Sequence, residues 1–156
     1  MAFKEEGGRN TKSRWRIGSL PTTVQASRMG LYQLVIRLKR RQLINVGRRG
    51  RFLFPAGYYV YTGSGQRGLE SRIARHLRKQ KKMRWHIDYL LQYGQILEVK
   101  RYGDDQEECE LNRRVERLPG GRVVVQGFGS SDCRCPTHLF YFRRNPASDL
   151  GKGRVQ

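Results

Sequence analysis

The stretch that most constrains this chain is GYYVYTGSGQRGLESRIARHLRK, residues 57–79. Tyr58, Tyr59, Val60, Tyr61 and Thr62 are aromatic or β-branched and suit a pleated, half-buried strand. Gly63, Ser64, Gly65 and Gly68 end that strand in a tight turn. Leu69, Ile73 and Leu77 then recur every fourth residue, the apolar stripe of a helix. Arg72 and His76 share a second stripe one turn apart, so both can meet one ligand. The stretch therefore predicts a strand rich in phenols, joined by glycines to a helix presenting guanidinium and imidazole. That combination suits a phosphodiester.

Charge points the same way. The 156 residues carry 32 Lys and Arg against 13 Asp and Glu, a formal net charge of +19. Such a surplus favours a polyanion partner, and a ribosomal or RNA-binding protein would look equally basic. A membrane surface fits less well, because no long helix is basic on one side and strongly apolar on the other. No apolar run approaches the roughly 20 residues of a bilayer span. Residues 1–18 contain no apolar h-region of the secretory type. Three cysteines make no complete disulfide framework, so the expected location is the cytoplasm.

Along the chain, residues 1–28 read as a basic flexible arm, whose Arg9, Lys12, Arg14 and Arg16 can add phosphate contacts. Residues 29–143 read as the folded domain and 144–156 as a tail. Tyr32, Leu34, Ile36 and Leu38 alternate with Gln33, Val35 and Arg37, predicting a strand with one buried face. Residues 43–46 and 51–54 predict a hairpin with a basic tip. Residues 85–91 predict a largely buried helix, with Trp85 one turn from Tyr89. Residues 96–102, 123–125 and 139–142 predict strands, and 106–118 a helix whose acidic start suits the helix dipole. Arg67, Arg75, Arg78, Lys79, Lys81, Lys82 and Arg84 form a basic run for nucleic-acid contact.

Five blocks in this order carry a family resemblance. Gly30-Leu31-Tyr32 and Tyr61-Thr62-Gly63 stand as paired triplets, Arg72 and His76 as an Arg-x-x-x-His helix, and Glu108 with Leu111 as a Glu-x-x-Leu helix. Together with FPAGYYVYTGS, WHIDYL and GFGSSDCRCPTHLF, they resemble the GIY-YIG nuclease superfamily, and more closely its Uri-like branch, the DUF123 family. The resemblance implies an α/β (α+β) fold, with a central three-stranded, mostly antiparallel sheet flanked by helices; the extra hairpin is added to it. It also implies a metal-dependent endonuclease acting on DNA, with structured or damaged DNA in repair as a plausible substrate class. Tyr32 would then activate the nucleophile with Tyr61 as partner, Arg72 would hold phosphate, and His76 would shuttle a proton or hydrogen-bond a tyrosine. Glu108 would hold Mg²⁺ or Mn²⁺, with Glu110 as the alternative ligand. The chain departs from the superfamily in the long gap between triplets and in lacking the usual asparagine after the glutamate. Asp132 and His138 are the side chains that could stand in for it.

The residues themselves set conditions on that chemistry. A phenol with a pKa of about 10 is ionised in only about one molecule in a thousand at pH 7. Nearby cations or a metal-bound water would lower that value, and burial would raise it. Glu108 and Glu110 subtend about 200° on a helix, so only one can face a given site. Cys109, Cys133, Cys135 and His138 offer a zinc ligand set, although Cys-x-Cys is tighter than the usual spacer. The alternative is a rigid loop in which Asp132 accepts backbone N–H bonds and the cysteines pack. His86 and Asp88 either pair in the core or support the site from behind. A noncatalytic nucleic-acid-binding module explains the same basic surface, and a zinc-stabilised adaptor for a protein partner is a third reading.

Overall fold

The computed structural model describes residues 30–65, 68–103 and 105–150. The predicted N-terminal arm and Arg67 lie outside them. Strand β1 (Leu31–Leu38) pairs antiparallel with β4 (Gly57–Ser64) on one side and β5 (Gln95–Tyr102) on the other. The central sheet, implied by the resemblance to have three strands, is wider. Beyond β4 lie β7 (Leu139–Phe142) and β6 (Arg122–Val123), giving five antiparallel strands in the order β5-β1-β4-β7-β6. The hairpin expected around its basic tip is a separate two-stranded sheet, β2 (Gln42–Asn45) and β3 (Arg51–Phe54).

Both faces of the central strands are covered. Tyr32, Leu34, Ile36 and Leu38 face helix α1 (Leu69–Leu77) and helix α2 (His86–Leu91), together with Ile44, Val46 and Phe54 of the hairpin. Val35 and Val60 point the other way, into a cluster with Val115 of helix α3 (Glu108–Glu116), Phe140, Phe142 and Leu150. The predicted single buried face of β1 is therefore two, because α3 covers the second. Gln33, inside that second layer, is satisfied across three strands: it donates to Thr62 Oγ1 at 3.2 Å and accepts from the Tyr102 hydroxyl at 2.8 Å.

Four expectations need correction. In α1 the inward residues are Leu69, Ile73 and His76, while Leu77 is 54% exposed, because the helix ends there and His76 takes the buried place. Trp85 does not begin α2 but precedes it in extended backbone. Asp88, three residues later, accepts the N–H groups of both Arg84 and Trp85 at 2.8 and 2.9 Å and so fixes the start one residue on. The strand expected over 123–125 shrinks to Arg122–Val123, since Val125 turns into the core. Packing continues past the expected limit at residue 143, as Leu150 is buried in the second cluster. No described helix is long and apolar enough to cross a membrane.

Asp88 joins α1 to α2. Its carboxylate is fully buried and takes a two-pronged hydrogen bond from Arg75 at 2.9 and 3.0 Å. Burial alone would raise its pKa, but Arg75 and the two backbone donors outweigh that and hold it below the usual carboxylate range. Asp88→Ala should cost about 3 kcal/mol in urea unfolding, because it leaves a cation and two helix-start donors unpaired. A loss within about 0.5 kcal/mol, the range of an ordinary surface change, would contradict this.

Candidate functional site

A polar cleft of about 330 Å³ opens where the sheet ends unevenly. β7 stops opposite Tyr61, so Thr62, Gly63 and Ser64 of β4, still paired with β1, run on without a strand on their other side. The loop of residues 126–138 fills that place. Its last residue grips Thr62 twice: the Thr62 N–H donates to the His138 carbonyl, and the His138 ring meets the Thr62 carbonyl, each at 3.1 Å. The two layers flanking the sheet meet here. Tyr61, Ser64, Arg72, Trp85, His86 and Glu108 line the cleft, with Arg84 and Asp132 at its margin.

Two glycines make the strand ends possible. Gly30 has φ +143°, and a Cβ there would stand 2.7 Å from the Tyr102 carbonyl oxygen. Gly63 lies opposite Tyr32 in the β1–β4 register, and a Cβ on it would come within 2.6 Å of the Tyr32 hydroxyl. That hydroxyl is fully buried and meets His76 Nε2 at 2.6 Å. Tyr61 leans against both rings, with centroids 6.4 Å from Tyr32 and 6.2 Å from His76. Burial, then the neighbouring Tyr61, pushes Tyr32 far above the usual phenol range. Burial does the same to Tyr61, so both are neutral at pH 7. Burial first, then Lys81, lowers His76 to about 4, so its imidazole is neutral as well.

Arg72 stacks on Trp85, its guanidinium carbon 4.5 Å from the ring centroid, and no described carboxylate pairs with it. Arg75 stacks on the same ring at 4.3 Å but is committed to Asp88. Arg75 is thus a bracket between helices rather than the free phosphate contact expected of it. Lys81 turns inward too, donating to the carbonyls of Arg75 and His76 at 3.1 and 2.8 Å, which caps the end of α1. Arg78, Lys79, Lys82 and Arg84 are exposed.

Glu108 opens α3 and reaches the cleft, whereas Glu110 turns away to pair with Arg113. One Glu108 oxygen lies 3.1 Å from His138 Nδ1. Burial opposes charge on His138, but hydrogen bonds to Glu108 and to the Thr62 carbonyl prevail and hold its pKa at about 9. Beside it, the ligand atoms of Cys109, Cys133, Cys135 and His138 all lie within 4.8 Å of one another. This cluster of three cysteines and one histidine could hold a metal such as zinc. All three cysteines are free, and burial together with hydrogen bonds from Cys135 and Cys133 pushes the Cys109 thiol up to about 12. Asp132 is exposed and accepts none of the loop's backbone bonds, so it does not organise the loop as the alternative reading supposed. Gly127 N–H to Pro136 and His138 N–H to Phe128, at 2.6 and 2.8 Å, do that.

Sequence reasoning did not place His86 on the cleft wall. Its Nδ1 accepts the Gly129 N–H at 2.9 Å, which leaves the ring proton on Nε2. It does not pair with Asp88, which instead supports the cleft from behind through Arg75 and the Arg84 and Trp85 N–H groups. The available signal was Asp88 three residues after Trp85, a helix-start pattern that puts residue 86 at the exposed first position.

The model of the family described as Domain of unknown function DUF123 matches residues 31–152. The chain belongs to the DUF123 family. No curated protein and no solved structure matches it. In this DUF123 chain the matched residues include the whole cleft and the cysteine cluster.

Because folded His76 takes up a proton only near pH 4 while an unfolded histidine does so near 6.5, the unfolded state binds more protons between those values. Stability should therefore fall by roughly 2–3 kcal/mol on acidification through that window. Urea unfolding of His76→Asn should show a shallower slope there; an unchanged slope would count against the buried neutral imidazole. Gly63→Ala should destabilise by about 1–3 kcal/mol, because the Tyr32 hydroxyl has nowhere to move.

Proposed function

We propose that this protein is a GIY-YIG-type endonuclease that hydrolyses phosphodiester bonds in DNA with the help of Mg²⁺ or Mn²⁺. The observation that carries this reading is the meeting of Arg72 and Glu108, from opposite layers of the sheet, in one cleft with Tyr61. A guanidinium with no carboxylate partner among the described residues, a carboxylate and a phenol are the groups that phosphodiester hydrolysis calls on.

The cleft suits a hard divalent cation. Its wall offers the Glu108 carboxylate, with Asp132 and the Ser64 and Ser131 hydroxyls nearby, an all-oxygen set with room for water. Glu108 would be the principal ligand. A cation bound there would neutralise charge on the phosphate and stabilise the departing oxygen.

The protein's own groups do the rest. Arg72 forks onto two non-bridging phosphate oxygens, and its stacking on Trp85 keeps the fork aimed into the cleft. Tyr61, at the wall, orients the attacking water. Tyr32 lies fully buried behind it, its hydroxyl meeting His76 Nε2, so that pair positions Tyr61 and does not meet the water; neither phenol ionises alone near pH 7. Burial first, and then Lys81, Arg72 and Arg75, keep His76 unprotonated. His86, with its proton on Nε2, is placed to donate to a phosphate or leaving oxygen. Arg78, Lys79, Lys82 and Arg84 extend the basic surface along the strand being cut.

A nicking assay on plasmid and branched DNA with Mg²⁺, Mn²⁺ or EDTA tests this. Metal-dependent cuts should fall at least about 100-fold in both Glu108→Gln and Arg72→Ala, the scale of losing a charge-stabilising group. Retention of DNA or RNA without cutting, weakening steeply with salt, would replace the nuclease by a binding module.

A further inference from the structure

We propose that Cys109, Cys133, Cys135 and His138 bind one Zn²⁺ as a closed structural site, and that His138 couples this ion to the Glu108 carboxylate. The second half rests on the cleft-metal reading above; the first does not.

The ligand atoms are already near their places. A tetrahedral ion with Zn–S bonds of about 2.3 Å puts neighbouring ligand atoms about 3.8 Å apart. Here all four lie within 4.8 Å of one another, and Cys133 Sγ is 3.3 Å from His138 Nε2. Three half-buried thiols around one imidazole nitrogen form a soft donor set, which selects zinc over the hard cations suited to the cleft. Four protein ligands leave no open position, so the ion is structural. Binding takes the cysteines as thiolates and His138 without its Nε2 proton, and the released protons pass to solvent.

The site also explains how the long loop is held. Cys109 lies in the first turn of α3, Cys133 and Cys135 in the 126–138 loop, and His138 at the entry to β7. An ion there pins that loop to the helix carrying Glu108. With Nε2 on the ion, His138 keeps its proton on Nδ1, the atom 3.1 Å from both Glu108 Oε2 and the Thr62 carbonyl. A metal-bound imidazole donating its other N–H to a carboxylate is a standard way of fixing both groups. One Glu108 oxygen is thereby held and the other left for the cleft. His138 is a positioning residue for Glu108.

The test uses the full chain, purified reduced and without chelator. Metal analysis should give about one zinc per chain, falling at least fivefold in Cys135→Ser. Co²⁺ exchanged into the wild type should show tetrahedral d–d bands and thiolate-to-cobalt charge transfer, a readout independent of whether that variant folds. Less than half an equivalent of zinc with no such bands, or a disulfide among the three cysteines in fresh protein, overturns the site. His138→Cys should keep the ion but weaken Mn²⁺ binding at Glu108, followed by electron paramagnetic resonance, at least tenfold, with Glu108→Gln as the reference for loss. Unchanged Mn²⁺ affinity in His138→Cys, or no Mn²⁺ binding by wild type, overturns the coupling. A chain that binds both ions and cuts no DNA removes the nuclease reading and leaves this inference standing.

Discussion

The antiparallel pairing of β1 with β4 is the constraint on which the rest depends. It places Tyr32 opposite Gly63 and Leu34 opposite Tyr61, so two phenols share one face at the same end of the sheet. Only a glycine leaves room for the Tyr32 hydroxyl, and only with that ring flat against β4 can His76 reach it from α1. A slip of β1 by one residue would turn Tyr32 to the opposite layer, against α3, and part it from Tyr61. Burial on both faces makes such a slip costly, since the apolar residues of β1 would all exchange environments.

The second requirement is that the sheet end unevenly. Had β7 run alongside β4 to Ser64, the strand edge at Thr62 would be paired and no loop could seat there. Instead His138 continues the pairing for one residue with its backbone and then turns its ring back to Thr62 and Glu108. Cations from one layer thus confront an acid from the other across a strand end. The extra hairpin closes the far wall: Arg49 at its tip donates to the Gln126 carbonyl and lies against Gly127. The hairpin of β2 and β3 thus braces the loop bearing the cysteines.

Much of this was legible because it is local. The Tyr58–Thr62 run, the glycine break and the helix after it follow from residue type and spacing. So does the hairpin around Gly47–Arg49. The helical angle between Glu108 and Glu110 allowed only one of them at the site, and the Glu-x-x-Leu resemblance, with Leu111 three residues on, favoured Glu108. What could not be read came from contacts between distant segments. Arg75 resembles Arg72 in composition and spacing, yet a buried Asp88 claims it, and nothing local distinguishes the two. Leu77 fits the apolar stripe better than His76, but a tyrosine 44 residues away needs a partner and the helix stops. The cysteine spacing argued against zinc by itself; the objection weakens once Cys109 comes from a separate helix to complete the set.

The central claim is that a divalent cation and a phosphate are held together between the two layers, at Glu108 and Arg72. Nuclear magnetic resonance of the full chain with trace Mn²⁺ and a short DNA duplex addresses it most directly, because the ion broadens resonances by proximity. Signals of Tyr61, Ser64 and His86 should broaden selectively, while those around Arg122 and Arg144 in the groove beside β6 stay sharp. Broadening centred on that other groove, or spread evenly over the basic surface, would contradict the account.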